Sequence, residues 1–380
     1  MHPRPDASPA TVSRFPFSCQ LALAWLALLV YACLHPMSGW QSSGLPVLDY
    51  LVAPWPKYFS VEDLIFNILG YIPLGLTVAA TLPANWRARR RIVLTAIFAT
   101  LLSFALETLQ VFLPTRVASN IDIGSNSAGA LVGALIGAKW GAALFGPHGA
   151  FSRLHARFLL NVPGSNLGVI LAILWLFAQF TPDQLLFADG DLLHLLGVSP
   201  PLPFQPDRQI VLEAAQTACM VLGVGLFVRC LIRQQGPLIA VFMFLLGLGA
   251  RSLATAVFFL PSAPLAWLTP GSGHGLIIGG ALLTLAFFLP RVVQHGCAGA
   301  SLLGAIVCIN LLPENPYLLA SGHVILDRGN LPNLYGLTNL VSGLWPFLAL
   351  AWLITLGLRH GEALEPQRGF QPRPRLPTSG

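Results

Sequence analysis

Charge is what this sequence has least of: Asp, Glu, Lys and Arg together make up 9% of its 380 residues. Soluble domains carry roughly 25%, so a water-soluble globular fold is excluded. A hydrophobic content of 55% and a mean hydropathy of +0.69 point instead to an all-α, polytopic membrane protein. Familiar catalytic signatures are missing too. There is no Walker P-loop, no H-E-x-x-H, no G-x-S-x-G elbow and no histidine cluster with metal-ligand spacing. GSGHG at 271–275 is a lone glycine-rich turn and reads as the entry to a helix. The six cysteines, Cys19, Cys33, Cys219, Cys230, Cys297 and Cys308, show no C-x-x-C spacing and lie within or at the ends of apolar runs. They read as small core residues, not as a disulfide framework or a metal site.

Apolar runs of a length that reaches across, or nearly across, a bilayer occur ten times. They lie near 17–34, 63–82, 92–113, 122–145, 166–181, 209–232, 237–260, 274–290, 298–312 and 339–358. The fifth, eighth and ninth are short. With the N-terminus cytoplasmic, sixteen Lys and Arg fall on inner segments, four on outer ones (Lys57, Arg116, Arg208, Arg328) and Arg251 inside a span, which accounts for all 21. That bias predicts ten spans with both termini cytoplasmic. It also explains the net charge of +6 without a nucleic-acid partner. The first run, with Arg14 before it and V-Y-A-C at 30–33, resembles a secretory signal but is long for one, so an uncleaved helix is expected. The predicted organisation is a cytoplasmic segment 1–16, a four-helix membrane domain 17–145, a cytoplasmic connector 146–165, a second bundle of about six helices at 166–358, and a disordered tail 359–380.

The informative stretch is 104–137, FALETLQVFLPTRVASNIDIGSNSAGALVGALIG, where two runs meet at a short loop. Ionisable side chains within a membrane face a packed interior or a water-filled cavity. Glu107 and Gln110 share one helix face; Asp122, Asn126, Gly129, Gly133 and Gly137 share another, polar at one end and small at the other. The glycine series, continued by Gly141, is a helix-packing seam. The bland alternatives are a structural carboxylate at Glu107, a helix-capping Asp122 and an Arg116 that snorkels to the interface. In the second span Asp63, Asn67, Gly70 and Leu74 share a face, while Pro73 and Gly75 weaken the helix where a freed carbonyl is open to a ligand or another helix. Glu62 reads as an N-terminal cap. In the second bundle a Glu213–Arg251 pair is the obvious way to neutralise two intramembrane charges, and His274 starts an inward-going span. The loop 310–330, with Glu314, Asn315, His323, Asp327 and Arg328, is either a cover over an outward cavity or an ordinary solvated loop.

The combined pattern D-x-x-x-N…P-x-G, E-x-x-Q, then R…D-x-x-x-N-x-x-G-x-x-x-G resembles the VanZ-like family, named for a protein associated with teicoplanin resistance. It falls on Asp63, Asn67, Pro73, Gly75, Glu107, Gln110, Arg116, Asp122, Asn126, Gly129 and Gly133, within residues 15–145. The resemblance implies an envelope protein of the bacterial inner membrane and no particular reaction. Because the unusual polar residues fall in the outer half, the leading expectation is an outward-facing pocket. It would bind, and in one version modify, a membrane lipid or a lipid-linked or glycan envelope precursor. Glu107 and Asp122 are the catalytic candidates; Asp63, Asn67, Gln110, Arg116 and Asn126 are the binding ones. No metal or cofactor is demanded. A flippase for a similar amphiphile, and a non-catalytic scaffold for envelope-biogenesis proteins, are the competing expectations.

Overall fold

The computed structural model describes residues 16–42, 44, 46–54, 61–160, 164–181, 184–233, 235–259, 262–313 and 331–364. Among them the chain is helical, with one isolated antiparallel bridge between Leu159 and Ile232. The helices are α1 Phe17–Leu34, α2 Asp49–Val52, α3 Val61–Thr81, α4 Ala88–Gln110, α5 Asn120–Phe145, α6 Ala150–Phe158, α7 Ser165–Ala178, α8 Leu192–Leu195, α9 Pro206–Leu231 and α10 Gly236–Ala254, which runs on into a π turn Thr255–Phe259. They are followed by α11 Pro270–Ala286, α12 Arg291–Leu311 and α13 Leu331–Leu364.

Each of the ten predicted apolar runs is a helix, and eight are long and apolar enough to cross a membrane. The other two are α7, with 14 residues, and α11, with 17. The ninth run is longer than its letters suggest. α12 reaches back through the polar RVVQHGC to 21 residues, because Gln294 is buried and its amide Nε2 caps the end of α11, donating among the carbonyls of Ala286, Phe287 and Leu289 at 3.0–3.1 Å. α13 likewise starts at Leu331, ahead of the expected span, and continues to Leu364. The rest of the expected disordered tail, the side chain of Glu62 and the loop residues Glu314, Asn315, His323, Asp327 and Arg328 lie outside the described residues.

In the first bundle α5 lies along α3. A methyl group at Gly129, Gly133 or Gly137 would run into the backbone carbonyl of Ile68, Ile72 or Leu76 respectively, and one at Gly75 into that of Ala130. Small residues every four positions therefore bring two backbones into direct contact, as lipid-embedded helices do when no hydrophobic force drives them together. Pro73 removes one intrahelical donor from α3, and a nearby carbonyl, Gly70 O, is taken by the indole of Trp25 on α1 at 2.7 Å. α1 also touches α7 and α13, which belong to a second hydrophobic core built around Trp175, Phe227, Trp345 and Trp352. α6 lies in the expected connector, with Phe151 stacked on Phe17 at 3.7 Å between ring centroids.

Candidate functional site

The polar residues singled out in the first bundle converge at one end of it, the end that the arginine distribution assigns to the outside. α4 presents a buried face at steps of four: Arg91, Thr95, Ala99, Ser103 and Glu107, with Gln110 one turn further. Glu107 is 3% exposed, and its Oε2 accepts a hydrogen bond from the backbone N of Ser119 at 2.9 Å. That bond closes the loop between α4 and α5 over the carboxyl. Ser119 also caps α5, its side chain accepting from the N of Ile121 at 3.2 Å. Asp122 is therefore not the cap. Its half-buried carboxyl stands within hydrogen-bonding reach of Asn67 and feels the charge of Asp63, both on α3.

Asn126 sits one turn deeper than Asp122 and is 3% exposed. Its Nδ2 donates to Ser103 Oγ at 2.9 Å, while its Oδ1 is buried without a hydrogen-bond partner. The hydroxyl of Tyr71, 2% exposed and one turn along α3 from Asn67, is likewise buried without one. It faces the Ser103 hydroxyl and the Cys33 thiol, with the Glu107 carboxyl nearby.

Gln110 and Arg116 turn the other way. Gln110 Nε2 donates to Cys33 O at 2.9 Å; Arg116 donates through Nε to His35 O at 2.8 Å and through a terminal nitrogen to Ala32 O at 3.1 Å. Three carbonyls at the C-terminal end of α1, where a helix is electronegative, are thereby bound by side chains from α4 and its loop. Asn120 anchors the short α2 by donating to the carbonyls of Leu51 (3.3 Å) and Ala53 (3.0 Å).

Four participants were not singled out beforehand. Tyr71 and Ser103 lie four residues from Asn67 and Glu107, so the same helical spacing reaches them. Cys33, read as a core residue, faces the cluster from α1, beside the Tyr71 hydroxyl and within the field of Glu107, Arg116 and Asp122. Ser119 acts through its backbone and gives no sequence signal. Among the described residues no three of His, Cys, Asp or Glu are placed to hold a metal ion together.

The donors in this cluster are largely engaged with protein: Gln110, Arg116 and the Asn126 amide nitrogen to α1 and α4, Asn67 toward Asp122. What remains open is acceptor capacity, on the carboxyls of Glu107 and Asp122 and on Asn126 Oδ1. Such a site suits a group rich in O–H or N–H.

In the second bundle the expected Glu213–Arg251 pair does not form. Thr269 Oγ1 donates to Glu213 Oε1, whereas Arg251, 2% exposed, donates to the carbonyls of Thr181, Gln184 (2.7 Å) and Leu185. Both charges are met by groups that a charge count does not reveal.

No curated protein and no solved structure matches this chain. Residues 20–141, the segment that builds the cluster from α1, α3, α4 and α5, match the family model described as VanZ/LLP1, and the first bundle of this multi-pass membrane protein is a VanZ-like domain.

Proposed function

We propose that the VanZ-like domain binds the polar head of a lipid-linked or glycan envelope precursor at the outer face of the bacterial cytoplasmic membrane. The observation that carries this reading is the surplus of acceptors on Glu107, Asp122 and Asn126 at one end of the bundle, with donors turned into the protein. Sugar hydroxyls and primary ammonium groups offer the matching hydrogens, and an apolar tail of the same molecule stays in the surrounding lipid. Glu107 and Asp122 are the groups positioned to take a proton from such a head. Asp63, Asn67 and Asn126 contact it, while Gln110 and Arg116 act by holding α1 against the cluster. Sequestering or altering an envelope precursor in this way is a route to reduced glycopeptide susceptibility, of which teicoplanin is the case suggested by the family name.

The test is the set of lipids retained by protein extracted from native membranes and identified by mass spectrometry. Glu107→Gln preserves an acceptor for Ser119 N, so the fold is expected to survive. Retention of the head-bearing species is expected to fall about tenfold or more, equivalent to about 1.4 kcal/mol. Equal retention by wild type and by a doubly substituted Glu107→Gln/Asp122→Asn protein would exclude the reading.

A second reading, movement of the amphiphile across the membrane, is favoured by a specific observation. The buried face of α4 stays polar toward its opposite end, where Thr95 Oγ1 and Arg91 Nε are buried without hydrogen-bond partners. Buried polar atoms of this kind mark water-lined or substrate-lined paths. Flux of a labelled precursor across proteoliposomes distinguishes it: transport predicts flux that is lost in Thr95→Val, and simple binding predicts none.

A further inference from the structure

The arginines at the end that their distribution assigns to the cytoplasm are not all alike. Arg87, Arg89, Arg153 and Arg157 are exposed, as suits charges that only mark a membrane face. Arg229, in the last turn of α9, is half-buried. Its side chain lies against the first residue of α10: a Cβ on Gly236 would stand 2.8 Å from Arg229 Cδ and 3.3 Å from Nη1. Its Nε is shut off from solvent and has no hydrogen-bond partner. A guanidinium carries five donors and no acceptor. Withdrawing one from water is costly unless an acceptor or an opposite charge replaces that water.

The neighbourhood supplies no opposite charge. The charged side chain in whose field Arg229 lies is a second guanidinium, that of Arg291 at the start of α12. Arg291 is exposed, and its Nη2 donates to Arg233 O at 3.1 Å, which holds its guanidinium at the loop leaving α9. The exposed Arg233 adds a third guanidinium to that loop. The loop itself is fixed, since Arg233 N donates to Phe158 O at 2.7 Å and Leu160 N to Leu231 O at 2.9 Å. The first turns of α10 and α12 hold no acidic residue and have no side-chain cap, so two helix N-termini add to the positive potential. Among the described residues no carboxylate pairs with Arg229, Arg233 or Arg291.

Like charges held together without a counter-charge are relieved by an anion. Guanidinium forks match the oxygens of a phosphate in paired hydrogen bonds, and basic pockets between membrane helices on this side accept anionic lipid heads. We propose that Arg229, Arg233 and Arg291 form a phosphate-binding site of the second bundle, open to the head of an anionic lipid in the adjoining leaflet or to a free phosphate. Arg233 and Arg291 meet the anion from solvent, and the terminal nitrogens of Arg229 meet it from within the bundle. The site is independent of the cluster around Glu107, which is rich in acceptors and belongs to the opposite face.

Thermal unfolding of the full chain in an uncharged detergent tests this, with dioleoylphosphatidylglycerol, dioleoylphosphatidylcholine or inorganic phosphate added. Phosphatidylglycerol is expected to raise the melting temperature saturably and beyond any rise with phosphatidylcholine. In Arg229→Gln/Arg291→Gln the half-saturating concentration is expected to increase about tenfold or more. Arg87→Gln/Arg89→Gln removes the same charge from the same face and is expected to leave it unchanged. A rise with phosphatidylglycerol and none with inorganic phosphate identifies a lipid head as the ligand; a rise with both, weakened in the same variant, identifies a free phosphate. Arg291 is exposed at a helix terminus, so Arg291→Gln is expected to fold. Should the double variant not fold, Arg291→Gln set against Arg87→Gln decides in the same way. No rise with phosphatidylglycerol or phosphate beyond that with phosphatidylcholine, or equal weakening by the two sets of variants, overturns the proposal.

Discussion

Arg116 Nε donates to the carbonyl of His35 at 2.8 Å, across 81 positions of sequence, and ties the loop between α4 and α5 to the end of α1. A second nitrogen of the same guanidinium reaches Ala32 O at 3.1 Å. The two bonds need the fork of an arginine; a lysine ammonium cannot span both carbonyls in that geometry.

Arg116→Lys and Arg116→Ala are therefore both expected to destabilise the first bundle, by about 1–3 kcal/mol for the alanine variant, the range for hydrogen bonds made by a charged group, and by a smaller amount for lysine. Thermal unfolding in detergent measures this. If Arg116 instead serves chiefly to bind ligand, both variants keep the wild-type melting temperature and lose only the retained lipid.

Gly133 and Gly124 are both on α5 and should respond oppositely to alanine. A Cβ at Gly133 meets the Ile72 carbonyl and the Leu76 nitrogen, both backbone atoms that cannot move aside, whereas a Cβ at Gly124 meets nothing within 4 Å. Gly133→Ala is expected to cost about 1–3 kcal/mol through overpacking. Gly124→Ala is expected to stabilise by about 0.5–1 kcal/mol, from lower chain entropy in the unfolded state. Equal melting temperatures for the two variants would contradict a close α3–α5 seam.

That seam was legible in the letters because its code is purely periodic: Gly129, Gly133, Gly137 and Gly141 announce a face, and Asp122 and Asn126 continue it. Glu107, Asn67 and Asp63 were legible for the same reason, since a polar residue in an apolar run has few places to go. The partners of Arg251 were not. A sequence gives its charge and depth, but its ligands are carbonyls of Thr181, Gln184 and Leu185, exposed only because α7 stops early. Backbone acceptors carry no letter of their own. The same holds for Gln294, whose polarity shortened the apolar run although its work is to cap α11 from within the bundle.

His35 links pH to the contact between the two bundles. Its ring lies against Gly336 of α13, where an added Cβ would be 2.6 Å from ring atoms, and its Nδ1 is 3.0 Å from the Tyr31 hydroxyl. Burial, and then the neighbouring Arg116 charge, hold its pKa below the ordinary histidine value. A ring kept neutral in the folded state contributes stability that is complete above the unfolded-state pKa of about 6.5 and is lost as pH falls through the lower folded-state value. The melting temperature is expected to drop over that interval. His35→Gln should flatten this acid limb, and a limb of unchanged slope in the variant would assign the effect elsewhere.

Trp25 and Pro73 should be energetically coupled although they do not touch through polar atoms. Pro73 lacks the N–H that would close the turn of α3 beginning at Leu69, and its ring loosens the same turn; the adjacent Gly70 carbonyl is the one that accepts from Trp25 Nε1 at 2.7 Å. Trp25→Phe keeps the aromatic bulk and deletes the donor, and is expected to cost about 1 kcal/mol. In a Pro73→Ala background the ring no longer loosens that turn, so the Leu74 N–H closes on the Gly70 carbonyl with better geometry. The carbonyl then has less need of the indole, and Trp25→Phe should cost distinctly less. A double-mutant cycle on thermal or denaturant unfolding reads the difference directly. An interaction energy of about 0.5 kcal/mol or more ties the proline to helix packing, and strict additivity shows that the indole bond is indifferent to it.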